Sequence, residues 1–199
     1  MVVHGGGSFG HPLAAKYGLA KGFKRKGQRV GIALTRLAMN RLNTEVVYSL
    51  YSKNVPAVGI QPSACMVVKN GKIVSANLPP ISQMLSMGIV PVLYGDVVFD
   101  TTRGVSILSG DQLTTYLARK LNVRRVIFGV DVDGIFTANP KVDKNAKLLH
   151  EITPSNWKKL SFSTESKVRD VTGGMKNKVE ELLKLAKVGI ESEVANALN

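Results

Sequence analysis

The chain has 199 residues, 44% of them hydrophobic, which is a globular composition large enough for one domain with a substantial core. It contains no apolar run near the ~20 residues of a membrane span, no zinc-ligand spacing of His and Cys, and one cysteine, Cys65, which excludes an internal disulfide and favours a reducing cytoplasm. The net charge of +13 suggests anionic partners such as phosphates, nucleic acid or a membrane surface.

Positive charge is densest in the stretch KGFKRKGQR, residues 21–29. From Met1 to Thr44 there are eight Lys and Arg residues and no acid. Three interpretations stay open: a solvated face, a surface that steers phosphates, and a nucleic-acid site. Aromatic side chains do not alternate with these cations as a base-stacking platform requires, so nucleic acid is the least favoured.

Strand and helix patterns alternate along the chain. Apolar strands that alternate with helices favour a mainly parallel sheet covered on both faces, with ligands beyond the carboxyl ends of the strands. Asn70-Gly71 between two apolar runs predicts a hairpin, and Gly88 is a predicted helix C-cap. The predicted elements are a buried strand at 1–3, helices at 14–20 and 34–54, a strand at 55–61, the hairpin at 65–76, a helix at 81–88, one or two strands at 89–100, a helix at 110–122, a fully apolar strand from 124, a helix at 175–189 and a strand from 191.

A glycine loop, HGGGSFGHP at residues 4–12, follows the first predicted strand. Glycines let backbone N–H groups approach an anion, and a helix start adds a partial positive charge, so the loop is typical of a phosphate cradle. It matches neither the Walker A nor the Rossmann pattern, and a plain tight turn is the alternative. His11 can donate to a phosphate oxygen, whereas His4 is expected to be structural.

Three later stretches carry candidate chemistry. Gly110 and Asp111 stand at a strand-to-helix turn, where Asp111 either caps the helix or orients lysines near a transferred phosphoryl group. Asp131 and Asp133 follow a strand and either bind metal or start turns.

Gly173 and Gly174 precede a helix that carries Lys178, which can reach an anion held at the helix start. The alternative is a loop followed by an amphipathic helix. Taken together, a glycine cradle, a lysine near a helix start and acids at a strand end are the parts that phosphoryl transfer requires.

Five motifs in order, HGGGSFGHP, ISQMLSMGIVPVLYGD, ILSGDQLTTYLA, GVDVDGIFTANP and DVTGGMKNKV, closely resemble the amino acid kinase superfamily and, within it, the isopentenyl phosphate kinases. The resemblance covers nearly the whole chain. It implies an α/β fold, a three-layer αβα sandwich with a mainly parallel central sheet. It also implies one domain over 1–199, with a phosphate-acceptor half at 1–120 and a nucleotide-binding half at 121–199.

The activity implied by the resemblance is phosphorylation of isopentenyl phosphate by ATP, giving isopentenyl diphosphate and ADP on the alternative mevalonate route. Mg2+ would be held mainly through the ATP phosphates. The implied partner is a small-molecule substrate, with no nucleic acid and no membrane, and the implied assembly is a homodimer. The isoprenoid tail is expected to need an apolar pocket beside the helix that holds residues 34–50.

Residue roles follow from the same resemblance. His11 would bind the acceptor's phosphate beside the Gly6 amide, Gly7 would face the ATP phosphates, and Gly110 would line the substrate side. Asp111 would organise active-site lysines, and Lys178 would stabilise charge on the moving phosphoryl group. The residues implied to hold the nucleotide are Asp131, Phe136, Thr137, Ala138, Asn139, Pro140, Lys141, Gly174 and Lys178.

The chain departs from the family pattern at both ends. Members begin with a strand and a K-x-G-G-S turn followed by another lysine, and they continue past EVANALN with a further glycine turn and helix. We therefore expect a truncated chain that lacks the first strand and is nearly inactive alone. The alternatives are a fosfomycin-type phosphonate kinase and a non-catalytic nucleotide-binding relative.

Overall fold

Short strands alternating with helices make up the computed structural model, which describes residues 1–157 and 174–198. They fall into two units, one ending at Thr114 and the other beginning at Thr115. The elements that begin in the first unit are β1 (Val2–His4), α1 (Gly7–Lys16), a 3-10 turn (Leu19–Lys21), α2 (Gln28–Tyr51), β2 (Ala57–Gly59), α3 (Pro62–Cys65), β3 (Met66–Lys69), β4 (Lys72–Ala76), α4 (Pro79–Ser86), β5 (Val90–Tyr94), β6 (Asp96–Asp100), β7 (Gly104–Leu108) and α5 (Gly110–Lys120), which continues into the second.

Three parallel strands form the first sheet of the first unit. β5 lies in the middle, between β1 and β2, and His4 of β1 lies opposite Tyr94 of β5. Because parallel strands end at the same edge of a sheet, the loops after β1 and β5 come close together. β1 was predicted to be buried, but its three residues are only half-buried.

The second sheet of the first unit has the order β4-β3-β6-β7. β3 and β4 form the predicted hairpin, in which Lys69 lies opposite Lys72. Asn70 and Gly71 have φ angles of 50° and 76°, as the mirror-image turns favoured by two-residue hairpins require. The predicted C-cap at Gly88 is also confirmed, since its φ is 73° and it directly follows the end of α4 and its cap.

The long helix α2 begins at Gln28, six residues before its predicted start at Leu34. Gln28 is buried, accepts hydrogen bonds from the backbone N–H groups of Lys24 and Arg25, and donates to three carbonyl oxygens. These contacts with the preceding loop organise the helix start, and apolar periodicity does not report them. The buried positions of α2 recur every four residues along one face: Gly31, Thr35, Met39 and Asn43.

In the second unit, β8 pairs in parallel with β11, and β9 pairs with β10 in antiparallel fashion. β8 was predicted to be fully apolar, yet its burial alternates and Ile127 is 61% exposed. The elements are β8 (Arg125–Val130), β9 (Ile135–Phe136), β10 (Leu148–Leu149), α6 (Gly174–Ala186) and β11 (Glu191–Asn196). The core of this unit is built from Ala118, Val126, Phe128, Leu185 and Ile190.

The predicted α/β class with parallel strands is confirmed. In the part of the chain that the structure describes, none of the helices combines the length and the apolar character needed to cross a membrane.

Candidate active site

Three glycine-containing turns converge at the carboxyl ends of strands in the first unit. A Cβ atom built on Gly110 would lie 3.1 Å from the His4 carbonyl oxygen and 3.5 Å from the Gly5 nitrogen. A Cβ on Gly95 would lie 3.2 Å from the Gly110 nitrogen. Side chains at Gly95 and Gly110 would therefore crowd backbone atoms, and their absence lets three backbone segments meet. We call this group of backbone segments, residues 5–7, 95 and 110, the glycine cradle.

His11 lies beside the glycine cradle. It sits in the second turn of α1, whose first residue, Gly7, has a φ of 44°. A Cβ on Gly6 would lie 3.4 Å from His11 Cδ2 and 3.3 Å from Met39 Sδ, so both side chains pack against this glycine. Gly6, His11 and Gly110, the predicted acceptor residues, thus share one region of the first unit with Gly7, which was predicted to face the ATP phosphates.

Asp111 follows Gly110 in the first turn of α5. The helix cap is supplied by Ser109, because its Oγ accepts from the Gln112 N–H at 3.1 Å and its carbonyl accepts from the Leu113 N–H at 3.0 Å. The N-cap role considered for Asp111 therefore belongs to Ser109. An acidic side chain in the first turn still interacts favourably with the helix dipole.

Asp131 and the segment 136–141, which were predicted to hold the nucleotide, lie in the second unit, at the end of β8 and in the β9–β10 hairpin. Lys141 forms an ion pair with Asp131, and its hydrogen bond to that carboxylate lowers the pKa of Asp131. Asn139 makes the turn, since its Oδ1 accepts from the Lys141 N–H at 3.0 Å. Phe136 ends β9, and Thr137, Ala138 and Pro140 complete the segment.

Asp133 has a different hydrogen-bond partner from that of Asp131. Its Oδ1 accepts from Asn196 Nδ2 of β11 at 2.9 Å. Each of the two acids thus has its own hydrogen-bond donor. Within residues 1–157 and 174–198, no group of three or more His, Cys, Asp or Glu side chains could hold a metal ion.

Lys178 lies on α6, with its ammonium nitrogen 4.8 Å from the centre of the Phe128 ring. Such a cation–π contact holds the charge against β8. Gly174 begins α6 with a φ of 60°. Gly173 lies outside the described residues.

Sequence reasoning missed Gly95 of the glycine cradle and Met39, which packs against the glycines. Gly95 stands between β5 and β6, and a lone glycine between two apolar strands was the available signal. Met39 gave no such signal, because its role depends on how α2 packs. A Cβ on Gly10 would lie 2.8 Å from Met39 Sδ.

A polar stripe on α2, formed by Arg36, Asn40 and Asn43, lies against the start of β6 and the ends of β5 and β1. Asn40 Oδ1 accepts from the Tyr94 hydroxyl at 2.7 Å. Burial and then the nearby Asp96 carboxylate raise the pKa of Tyr94 to about 12. Burial also raises the pKa of Asp96 and outweighs the lowering effects of Ser63 and Arg36, whose Nε lies 3.8 Å from Asp96 Oδ1.

Comparison with known proteins places this geometry in a family. The family model described as the amino acid kinase family matches residues 1–196. An isopentenyl phosphate kinase of Methanothermobacter thermautotrophicus is 42% identical over 203 residues, covering 99% of this chain and 76% of the relative. An isopentenyl phosphate kinase of Arabidopsis thaliana is 35% identical, covering 99% of this chain and 64% of the relative.

A solved structure agrees with these sequence matches. It is described as an X-ray structure of isopentenyl phosphate kinase, superposes with a TM-score of 0.85 at 38% identity, and covers 100% of this chain and 76% of the solved one. The predicted fold and resemblance are therefore confirmed. The chain belongs to the amino acid kinase family, on the branch formed by the isopentenyl phosphate kinases.

Proposed function

We propose that this chain provides the acceptor-binding and nucleotide-binding units of a kinase that transfers the γ-phosphoryl group of ATP to isopentenyl phosphate. The products are isopentenyl diphosphate and ADP, on the alternative mevalonate route. The observation that carries the proposal is the glycine cradle with His11 beside it, in a chain 42% identical to an isopentenyl phosphate kinase.

The acceptor unit suits an acceptor that is already an anion. A phosphate oxygen is ionised at neutral pH, so transfer to it needs hydrogen-bond donors and cations more than a general base. In the proposal, the Gly6 amide and His11 bind the acceptor phosphate, Gly110 lines the same side, and Gly7 faces the ATP phosphates. Met39 is the α2 side chain that packs on the glycine loop, and it offers the isoprenoid tail an apolar contact.

The nucleotide unit supplies the cations. In the proposal, Asp131 orients Lys141, and the segment from Phe136 to Lys141 holds ATP together with Gly174. Lys178 stabilises charge on the transferred group, and Asp111 organises the active-site lysines. Mg2+ would be bound through the ATP phosphates and would neutralise their charge. Binding of Mg2+ through the phosphates fits the contacts of the two nearby carboxylates, since Asp131 pairs with Lys141 and Asp133 accepts a hydrogen bond from Asn196.

The test is ATP turnover with isopentenyl phosphate, measured for this chain and for an extended form. The extended form adds the segments of the Methanothermobacter relative that this chain does not span. His11→Ala is compared with His150→Ala, a matched change at an exposed histidine outside the proposed site. The proposal expects little turnover by this chain alone, and turnover by the extended form that collapses in His11→Ala and persists in His150→Ala.

Other outcomes would change the proposal. Turnover with a phosphonate such as fosfomycin, and none with isopentenyl phosphate, would show that the acceptor is a phosphonate. ATP binding without turnover of either acceptor by the extended form would indicate a non-catalytic relative.

We also propose a homodimer, formed by the outward face of α2. Val30, Leu34, Leu37, Tyr48 and Tyr51 are exposed and recur at alternating steps of three and four residues, with Arg41 and Thr44 completing the stripe. This spacing is typical of helices that pack against a partner helix. We call it the α2 outer stripe. A second copy offers the same stripe, so two copies can cover each other's apolar side chains across a two-fold axis.

For the cellular location, we propose the cytoplasm. The one cysteine, Cys65, is free and half-buried, and burial raises the pKa of its thiol. The thiol therefore stays protonated and is slow to oxidise, as expected of a protein in a reducing compartment. Cell fractionation with a tagged protein would test the location.

A further inference from the structure

The proposed phosphate site needs the Gly6 N–H to point in one direction, and glycine residues do not fix the direction of a peptide. Gly5 and Gly7 are exposed, and a Cβ on either would meet nothing within 4 Å. The peptide between Gly5 and Gly6 is flanked by glycine on both sides, so no side chain restricts its orientation. In a trans peptide the C=O and N–H point in opposite directions, so a turned peptide would present a carbonyl oxygen where a donor is needed.

His4, directly before the glycines, is held on several sides. Its backbone carbonyl accepts from the Gly95 N–H at 2.9 Å. Its ring stacks on Tyr94 with ring centres 5.6 Å apart and planes 21° apart. Its Nε2 lies 3.2 Å from Oδ1 of Asn43, which is buried on α2. The imidazole is thus held by several contacts directly before the glycines.

The other ring nitrogen of His4 contacts the peptide between Gly5 and Gly6. His4 Nδ1 lies 3.0 Å from the Gly5 carbonyl oxygen. A carbonyl oxygen can only accept, so Nδ1 carries the hydrogen in this contact, whereas Nε2 faces the side-chain amide of Asn43, a group that can both donate and accept. We infer that His4 is a positioning residue, whose Nδ1–H holds the Gly5 carbonyl and thereby fixes the direction of the Gly6 N–H. This inference rests on the proposed function, in which that N–H donates to the acceptor phosphate.

Two substitutions separate this role from a purely structural one. In His4→Asn the amide nitrogen lies near the Nδ1 position, so donation to Gly5 can survive. In His4→Gln the side-chain amide nitrogen lies near the Nε2 position, so only the contact with Asn43 can survive. Both remove the ring that stacks on Tyr94, so they form a matched pair.

The first experiment measures KM and kcat for isopentenyl phosphate in the extended form, with unfolding midpoints alongside. We expect KM for isopentenyl phosphate in His4→Gln to exceed that in His4→Asn by about tenfold, the effect of losing one hydrogen bond of ~1.4 kcal/mol. KM for ATP is expected to be the same in both. His150→Gln serves as the control and should match the parent.

The second experiment does not depend on the acceptor. In protein labelled with 15N-glycine, the Gly6 amide resonance should keep its position in His4→Asn and shift or broaden in His4→Gln. If the parent fails to phosphorylate isopentenyl phosphate but this difference appears, the proposed function fails and the positioning role stands. Equal KM values and equal Gly6 resonances in the two variants, or losses that follow the unfolding midpoints alone, would overturn the inference.

Discussion

At the residue scale, the glycine cradle depends on the absence of side chains at Gly95 and Gly110 as much as on the side chains that surround it. Gly95 and Gly110 stand where a Cβ would lie 3.1–3.3 Å from backbone atoms of neighbouring turns. Backbone cannot move aside as the end of a flexible side chain can. The same region holds His11, Met39 and His4, which surround the glycine loop with an imidazole, a thioether and a second imidazole.

Gly110→Ala tests the need for this space. The added methyl would press on the His4 carbonyl oxygen at 3.1 Å and displace the loop. We expect kcat/KM for isopentenyl phosphate to fall by about 10–100-fold, since small misplacements at a reacting centre cost this much. Steady-state kinetics would measure it. Gly27→Ala is the control, because a Cβ there meets nothing within 4 Å; an equal fall in both variants would contradict the prediction.

Lys178→Gln tests the second unit. If Lys178 stabilises charge that develops during transfer, its loss should lower kcat by roughly 10²-fold and change KM for ATP less. Lys176→Gln, two residues earlier on an exposed position of α6, should leave kcat unchanged. A change confined to KM would instead assign Lys178 to ground-state ATP binding. Single-turnover measurements separate chemistry from product release.

At the element scale, a buried carboxylate ties two hairpins together. Asp100, at the end of β6, accepts hydrogen bonds from the backbone N–H groups of Asn70 and Gly71 in one turn and of Thr102 and Arg103 in the other. Ser106 Oγ donates to the same carboxylate at 2.7 Å. Burial by itself would raise the pKa of Asp100, but these donors outweigh it and hold the pKa far below its usual range.

Asp100→Asn should therefore destabilise the first unit. An amide places N–H groups against N–H donors, and we expect a loss of about 2–4 kcal/mol in the free energy of unfolding. Because folded Asp100 binds its proton more weakly than the unfolded chain does, its contribution is full above about pH 3.9 and is lost as pH falls below that value. Urea unfolding at pH 7 and pH 3 should show a smaller difference between parent and variant at pH 3. A constant difference would contradict the assignment.

At the scale of the whole molecule, the two faces of α2 differ, since one packs inside the first unit and the other exposes apolar side chains. The inward face, Gly31 to Asn43, meets α1 and the sheet, and a Cβ on Gly31 would lie 2.2 Å from Tyr17 Cγ. The α2 outer stripe leaves five apolar side chains exposed in a chain with a net charge of +13. Exposed apolar side chains at regular helical spacing are typical of an interaction face.

Leu37→Glu within the α2 outer stripe should weaken the proposed dimer by placing a charge among apolar side chains. We expect the dimer dissociation constant to rise by at least about tenfold, measured by sedimentation equilibrium. Val74→Glu changes an equally exposed valine on β4 and should leave the constant unchanged. A monomeric parent chain, or equal effects of the two variants, would contradict the proposal. Higher salt should favour dimerisation, because it screens the repulsion between two chains of +13.

Local chemistry allowed much of the fold to be predicted. The Asn70-Gly71 hairpin, the C-cap at Gly88 and the helices over α4, α5 and α6 were predicted, because turns, caps and apolar periodicity depend on residues that are neighbours in sequence. Motif order also identified the family. The roles assigned to His11, Asp111, Lys141 and Lys178 stay predictions, since residue types alone do not show which groups touch a substrate.

The amino-acid sequence by itself determined the family, the α/β class and the local turns of this protein. Only the tertiary structure decided that Ser109 caps α5, that Gly95 and Gly110 meet the loop after β1, and that His4 Nδ1 faces the Gly5 carbonyl. The physical reason is how far apart in the sequence the contacting residues lie. Hairpins and caps form between adjacent residues, whereas the glycine cradle joins backbone segments that are distant in sequence, and strand pairing and helix packing set their positions.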